Sequence, residues 1–421
     1  MVASQHRFWR GVRNYVIGFI VTVLVLALAV VGFVALHNDR AADKTAAQQK
    51  KLAPFYVAPA GWQAAALGTV FRSEPVGGVP GHATGRRILY RSARADGSPS
   101  VSGGLVFVPS NSAPAGGRPV LAWAHGTAGM GDECAQSRRP DVEASIPGLA
   151  NFLAAGWAVV ATDYSGLGTA GTLQYLVGQA AARDVLYSVR AARTMPGVDA
   201  STRVALWGHS QGGASVLWTE QLARRLAPEL QIVAAAAAAP AAELAILMQH
   251  QWNTVGGSLI ATEALVGWPA AYPDLDVAPL WNRDAGNYRT IANKCIVAGL
   301  IDLEVRHLLG SKPIMKVNPL TLPAWHTVVT ANTAPLPLSA PTYIAQGLDD
   351  PLVLPGSTAT YVRDACAAGA NVTANFIGDL GHMKAGFTAA PIVFTWLQQR
   401  FAGVPATSTC GTQLPVAPLG L

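Results

Sequence analysis

The sequence predicts an α/β fold: a mostly parallel central sheet flanked by helices, with a helical cap inserted late and a membrane-spanning helix in front. Three observations predict it. From about residue 85, short apolar runs alternate with segments of helical spacing, the pattern of a sheet covered on both faces. A glycine-flanked serine, Gly208-His209-Ser210-Gln211-Gly212, stands between one such run and one such helix. Residues 16–36 carry no charge at all.

The N-terminal part comes first. Residues 1–15 form a basic tail with Arg7, Arg10 and Arg13. The uncharged stretch 16–36 reaches roughly 30 Å as a helix, enough to cross a bilayer core. It is longer than the apolar region of about 7–15 residues in a cleavable signal peptide, and its nearest candidate cleavage site, Phe33-Val34-Ala35, is poor. An uncleaved signal anchor is therefore preferred, with the body on the extracytoplasmic side. A cleaved signal peptide and a secreted body is the alternative, and a buried core helix the bland one. Residues 37–60, rich in Ala, Lys and Gln, read as a linker.

Composition bounds the rest. Hydrophobic residues make up 51% of the 421 and charged residues 13%, which excludes a disordered chain and supplies a large core and an apolar cleft. The net charge is +6, and five of those six charges belong to residues 1–51, where Arg7, Arg10, Arg13, Arg40, Lys44, Lys50 and Lys51 face only Asp39 and Asp43. The near-neutral body has no basic stripe, so nucleic acid is excluded as a partner. Cys134, Cys295, Cys366 and Cys410 are an even set in an exported chain, which suggests two disulfides with three possible pairings. Four free thiols are the alternative. No Cys-x-x-Cys and no Cys/His cluster occurs, so no metal site is expected, and no cofactor is implied.

The sheet is expected in two parts, residues 61–240 and 338–412, with a tail at 413–421. In the first part, 89–93 and 101–109 read as a hairpin pair. The runs 119–124, 157–163, 203–207 and 232–238 read as strands, and 142–155, 182–194 and 213–226 as helices. In the second part, 342–346 and 373–377 read as strands, and 357–368 and 390–401 as helices. Residues 241–337 interrupt the alternation with Trp, Leu, Ala and repeated Pro, and read as a largely helical cap. Placed between two strands, it would cover the sheet edge where ligands of open α/β sheets bind. An ordinary packing subdomain is the bland reading.

The chemistry starts at Ser210. The run 204–207 before it is a strand and 213–217 after it starts a helix, so the Gly-x-Ser-x-Gly pattern forms a nucleophile elbow, the mark of the α/β-hydrolase fold. Glycines flank it because backbone passes close to backbone in that turn. A Gly-rich phosphate or packing turn is the alternative. A serine needs a base, and the base an orienting acid; the order along the chain in this fold is Ser, acid, His. His382 is the base, because it lies downstream of both acids that end the strand before it. Of those acids Asp350 is preferred to Asp349, with Asp379 a weaker rival. His209 is expected to pack beneath the elbow. His250, His307 and His326 lie in the insertion and could line the cleft, although solvated or packed imidazoles are favoured there. The oxyanion hole requires two N–H donors. Gln211 supplies one, directly after the nucleophile, and Thr127 in His125-Gly126-Thr127 the other, with Gly126 as rival. Asp163 is read as a residue that pins a loop.

These residues resemble the secretory lipase family, the Candida-type lipase A branch of the α/β-hydrolases. The likeness covers about residues 60 to 412. It rests on Trp123-Ala124-His125-Gly126-Thr127, on Asp163-Tyr164-x-Gly-x-Gly, on Gly208 to Gly213, and on Gly347-x-x-Asp350-Pro351-x-Val353. The resemblance implies a helical cap between the nucleophile strand and the acid strand, an apolar acyl tunnel, and hydrolysis of acylglycerols and other lipid esters. It also implies the pairings Cys134–Cys295 and Cys366–Cys410. The chain departs from the best-known members in its N-terminal span and in carrying His-Gly-Thr where they place an acidic side chain. The expected activity is that of a serine carboxylic-ester hydrolase, a lipase or esterase acting on a lipid or small ester through an acyl-enzyme. An acyltransferase or serine peptidase with the same triad is the runner-up, and a non-catalytic binding protein on a hydrolase scaffold is the other class.

Overall fold

A run of alanines with little intrinsic preference for strands, residues 234–238, lies in the sheet between two parallel neighbours, wholly buried. Burial on both faces rather than propensity makes it a strand. The computed structural model describes residues 45–421. Residues 45–52 are a helix, α1, and the residues up to Pro54 form a unit apart from Phe55–Leu421. Among the described residues no helix is long and apolar enough to cross a membrane. The basic tail and the span expected over 16–36 lie outside the described residues.

The body is built from β1 (Val70–Val76), β2 (Ala83–Ala93), β3 (Pro99–Pro109), β4 (Arg118–Ala124), α2 (Leu149–Ala154), β5 (Ala158–Thr162), α3 (Gly178–Thr194), β6 (Ala200–His209), α4 (Gln211–Leu226) and β7 (Gln231–Ala238). The insertion follows, with α5 (Leu244–Gln251), α6 (Val255–Gly267), α7 (Tyr288–Ala292), α8 (Ile296–Leu308) and α9 (Pro323–Ala331). The chain then returns through β8 (Thr342–Gly347), α10 (Pro355–Ala367), β9 (Val372–Ile377) and α11 (Ala385–Phe401).

The sheet order is β1-β2-β3-β5-β4-β6-β7-β8-β9. The first three strands run antiparallel to their neighbours, and β5, β4, β6, β7, β8 and β9 are parallel. Helices α3 and α4 pack together on one face, and α2 and α11 on the other. The chain leaves β4 for β5 on one side and returns to β6 on the other. That reversal opens a crevice at the carboxyl ends of β4 and β6, the usual ligand position in such sheets. The free edge at β9 is covered by the C-terminal segment, where Thr409 donates its amide to Val372 O (2.8 Å) and the Cys366–Cys410 disulfide holds the segment to α10. Such cover keeps an edge strand from pairing with another chain.

Two expectations shift. The helix expected over 142–155 is a 3-10 turn, Val142–Ser145, followed by the short α2, because Pro147-Gly148 interrupts it; Gly148 has φ 80°. The segment 413–421, expected to be a tail, returns to the body: Leu419 donates its amide to Gly356 O (3.0 Å).

Candidate active site

β6 ends at His209 and α4 begins at Gln211, so the whole bend falls on Ser210. Its φ of 57° and ψ of −118° are a strained conformation for a residue with a Cβ, costing on the order of 1–3 kcal/mol. The surroundings impose it. Ser210 N donates to Ala238 O (2.9 Å), and Ser210 O accepts from the amides of Ala214 (3.1 Å) and Ala241 (3.2 Å). No side chain fits beside it: a Cβ on Gly208 would lie 2.2 Å from Gly212 O, and one on Gly212 would lie 1.9 Å from Ala124 O. The hydroxyl therefore stands at the carboxyl edge of the sheet and at the N-terminus of α4.

Two other strand ends bring partners to it. After β9, His382 places Nε2 2.9 Å from Ser210 Oγ. After β8, Asp350 places Oδ2 2.8 Å from His382 Nδ1. With Nδ1–H donated to the carboxylate, Nε2 is left to accept the serine proton. The carboxylate is itself held: Oδ1 accepts from the amides of Leu352 and Val353 (2.9 Å each), and Gln346 Nε2 donates to Oδ2 (3.2 Å). All three side chains are buried. Asp349 and Asp379, the rival acids, are exposed and take no part in this set of hydrogen bonds. His209 packs its ring 4.8 Å from that of His382 and donates from Nε2 to His382 O (3.0 Å). Burial, with His382 adding to it, pushes His209 down to about 3, so its ring is neutral and fixes the loop by that one donor. The sequence placed His209 beneath the elbow but gave no sign of this bond.

The loop after β4 faces the serine. Gly126, Thr127 and Gln211 border the same cavity as Ser210. His125 is buried, and Tyr164 donates its hydroxyl to His125 O (3.1 Å). Asp163 accepts from the amide of Ser137 (2.9 Å) and from its hydroxyl, and burial pushes its carboxyl up. It pins neighbouring loops and stays away from Ser210. Thr127 Oγ1 lies 2.7 Å from Tyr175 OH, a partner that no sequence pattern announced. The loop is also fastened to the insertion. Cys134 is bonded to Cys295 across 161 residues of sequence, Met130 N donates to Ala292 O (2.8 Å), and Ile296 N donates to Ala128 O (2.9 Å).

The cavity above Ser210 has a volume of about 490 Å³. Leu244, Met248, Leu259, Ile260 and Trp268 line it from the insertion, so its walls are largely apolar. At its rim Val297, Met383 and Phe387 are more than half exposed. His250, His307 and His326 are exposed and do not border it.

Comparison with known proteins bears on the family and the fold. A family model described as secretory lipase matches residues 141–409. A probable inactive lipase of Mycobacterium tuberculosis is 28% identical, over 84% of this chain and 83% of its own length. Lipase 4 of Candida albicans is 26% identical, over 85% and 83%. Among solved structures, Candida antarctica lipase A in its closed state superposes with a TM-score of 0.71 at 20% identity, covering 86% of this chain and 89% of that one. A rice cell wall degrading esterase from Xanthomonas oryzae gives a TM-score of 0.63 at 20% identity, over 81% and 97%. These structures share the α/β-hydrolase fold with this chain.

Proposed function

The chain belongs to the secretory lipase family, and on that premise we propose that it is an active serine carboxylic-ester hydrolase that cleaves acylglycerols or similar lipid esters through an acyl-enzyme on Ser210. The observation that carries this reading is the unbroken line Ser210 Oγ, His382, Asp350 at the floor of an apolar cavity. His382 Nε2 takes the hydroxyl proton while Oγ attacks the ester carbonyl. The amides of Gln211 and Thr127 hold the oxyanion, with Gly126 the rival to Thr127, and the N-terminus of α4 adds its positive end. His382 gives the proton to the departing alcohol. Water then enters and attacks the acyl carbon as His382 takes one of its protons, and His382 returns that proton to Ser210 Oγ as the acid leaves. Asp350 keeps the imidazole in the tautomer that both steps require.

The apolar walls favour an acyl chain over a charged one, and the exposed rim suits a lipid surface. With the uncharged span of residues 16–36, the body acts on the extracytoplasmic side, anchored or secreted. One observation favours a second reading, a binding protein without catalysis: a relative is called a probable inactive lipase. This chain argues against that for itself, because serine, imidazole and carboxylate all meet at hydrogen-bonding distance.

The test is hydrolysis of p-nitrophenyl esters of short and long acyl chains, with peptide substrates and acyl acceptors alongside. Ester turnover is expected, and Ser210→Ala is expected to lose it by at least about 10⁴-fold. Equal turnover by the alanine variant would leave the binding reading, and faster peptide cleavage or acyl transfer the runner-up enzymes.

A further inference from the structure

We propose that the cavity has a polar end for the alcohol half of the ester, where Trp123 Nε1 and Gln136 Oε1 hold free hydroxyls, so that the chain prefers esters of a polyol, such as partial acylglycerols, to simple alkyl esters. The proposal rests on the hydrolase reading above and specifies the substrate of that same site.

Buried polar side chains nearly always have a hydrogen-bond partner. Trp123 and Gln136 are only 3% and 9% exposed, yet the indole N–H of the first and the amide oxygen of the second have no partner among the described residues. Of the buried side-chain atoms in that condition, these are the two whose residues border the cavity over Ser210. The neighbouring indole gives the contrast. Trp207, its ring 5.7 Å from that of Trp123, donates its N–H to Pro147 O (3.2 Å). An indole N–H can only donate, and an amide oxygen can only accept. Hydroxyls answer both groups, and an alkyl chain answers neither. Arg139 also borders the cavity, but it is exposed and tied to Asp141 by two contacts of 3.1 Å. The buried pair therefore sets the chemistry of this end, and that chemistry is neutral.

Position assigns this end to the alcohol. The departing oxygen takes its proton from His382 Nε2, so the alcohol lies on the side of Ser210 where that ring stands. His209 packs on the ring, and a Cβ on Gly386 would lie 3.3 Å from His209 Cβ and 3.5 Å from Pro147 Cγ, so the wall runs on from His382 to Pro147. Pro147 is bonded to Trp207, and Trp207 packs on Trp123. The 3-10 turn Val142–Ser145, just before Pro147, packs against the turn Gln136–Arg138. The wall supplied by the insertion carries Leu244, Met248, Leu259 and Ile260 and suits the acyl chain. A site that hydrogen-bonds a substrate hydroxyl discriminates against the analogue lacking it, because its own buried groups are then left unpaired.

The experiment measures kcat/KM of the full chain on two soluble esters of one acid, glycerol monobutyrate and propyl butyrate, for the parent, Trp123→Phe and Gln136→Leu. Both esters give the same butyryl-enzyme, so the ratio of the two values reports on the alcohol half. The parent is expected to favour the glycerol ester about 10²-fold, and each variant to lower that ratio about tenfold, the size of one hydrogen bond between neutral groups. A purely structural role would slow both esters alike and leave the ratio at its parent value, as would a water that the two groups never release. A parent ratio near one, or a ratio that either folded variant leaves unchanged, would therefore overturn the proposal. Turnover of both esters without preference removes this proposal alone; turnover of neither removes the hydrolase reading and this proposal with it. Should Trp123→Phe fail to fold, Gln136→Leu decides alone.

Discussion

At the scale of the residue, Asp349 and Asp350 are neighbours with different fates. Asp350 is buried, accepts two backbone amides and faces His382; Asp349 is exposed. Replacing Asp350 by Asn keeps the shape and removes the charge that fixes the imidazole tautomer. We expect kcat to fall on the order of 10⁴-fold, while Asp349→Asn stays within about twofold of the parent; steady-state ester kinetics of the two variants check this. The placement of Ser210, Asp350 and His382 was legible because each follows a strand that a short apolar run marks out. Tyr175 was not. It sits in an irregular loop, and its partner Thr127 is 48 residues away, so no local period or motif joins the two.

At the scale of the element, the sequence showed the central strands and the interruption between β7 and β8, since long apolar runs and a break in their rhythm are strong signals. It did not show β1, where Arg72, Ser73, Glu74 and Pro75 form no apolar run and pairing with β2 makes them an edge strand. Nor does it show what joins α4 to β8. Glu220 on α4 accepts from the amides of Ser339 (2.5 Å) and Ala340 (2.6 Å) and from Thr342 Oγ1 (2.9 Å), and so fixes where β8 begins. Burial outweighs these donors and pushes the carboxyl up to about 7. A raised carboxyl binds its proton more tightly folded than unfolded. Its stabilising contribution is present below the ordinary carboxylate value and is lost as the pH rises through about 7. The effect is on the order of 3 kcal/mol. We expect the thermal midpoint of the parent to fall between about pH 5 and about pH 8 by more than that of Glu220→Gln, read by calorimetry across that range.

At the scale of the whole molecule, two disulfides close loops of very different length. The Cys366–Cys410 bond spans 44 residues and holds the C-terminal segment over β9. In chain-entropy terms a loop of that size contributes about 4 kcal/mol. Cys366→Ser with Cys410→Ser should therefore lower the unfolding free energy by roughly that amount and open the segment after Gly403 to limited proteolysis, while ester turnover on the folded variant stays near the parent value. The Cys134–Cys295 bond acts elsewhere. It bolts the root of α8 to the strip of chain that carries Thr127, and two backbone hydrogen bonds reinforce the bolt. The roof of the cavity is thus hung like a door on its jamb at that corner. The pinned corner and the far end of α8 therefore differ in their hold on the body: covalent bond and amides fix the first, while Leu308 and Leu309 stand bare at the second.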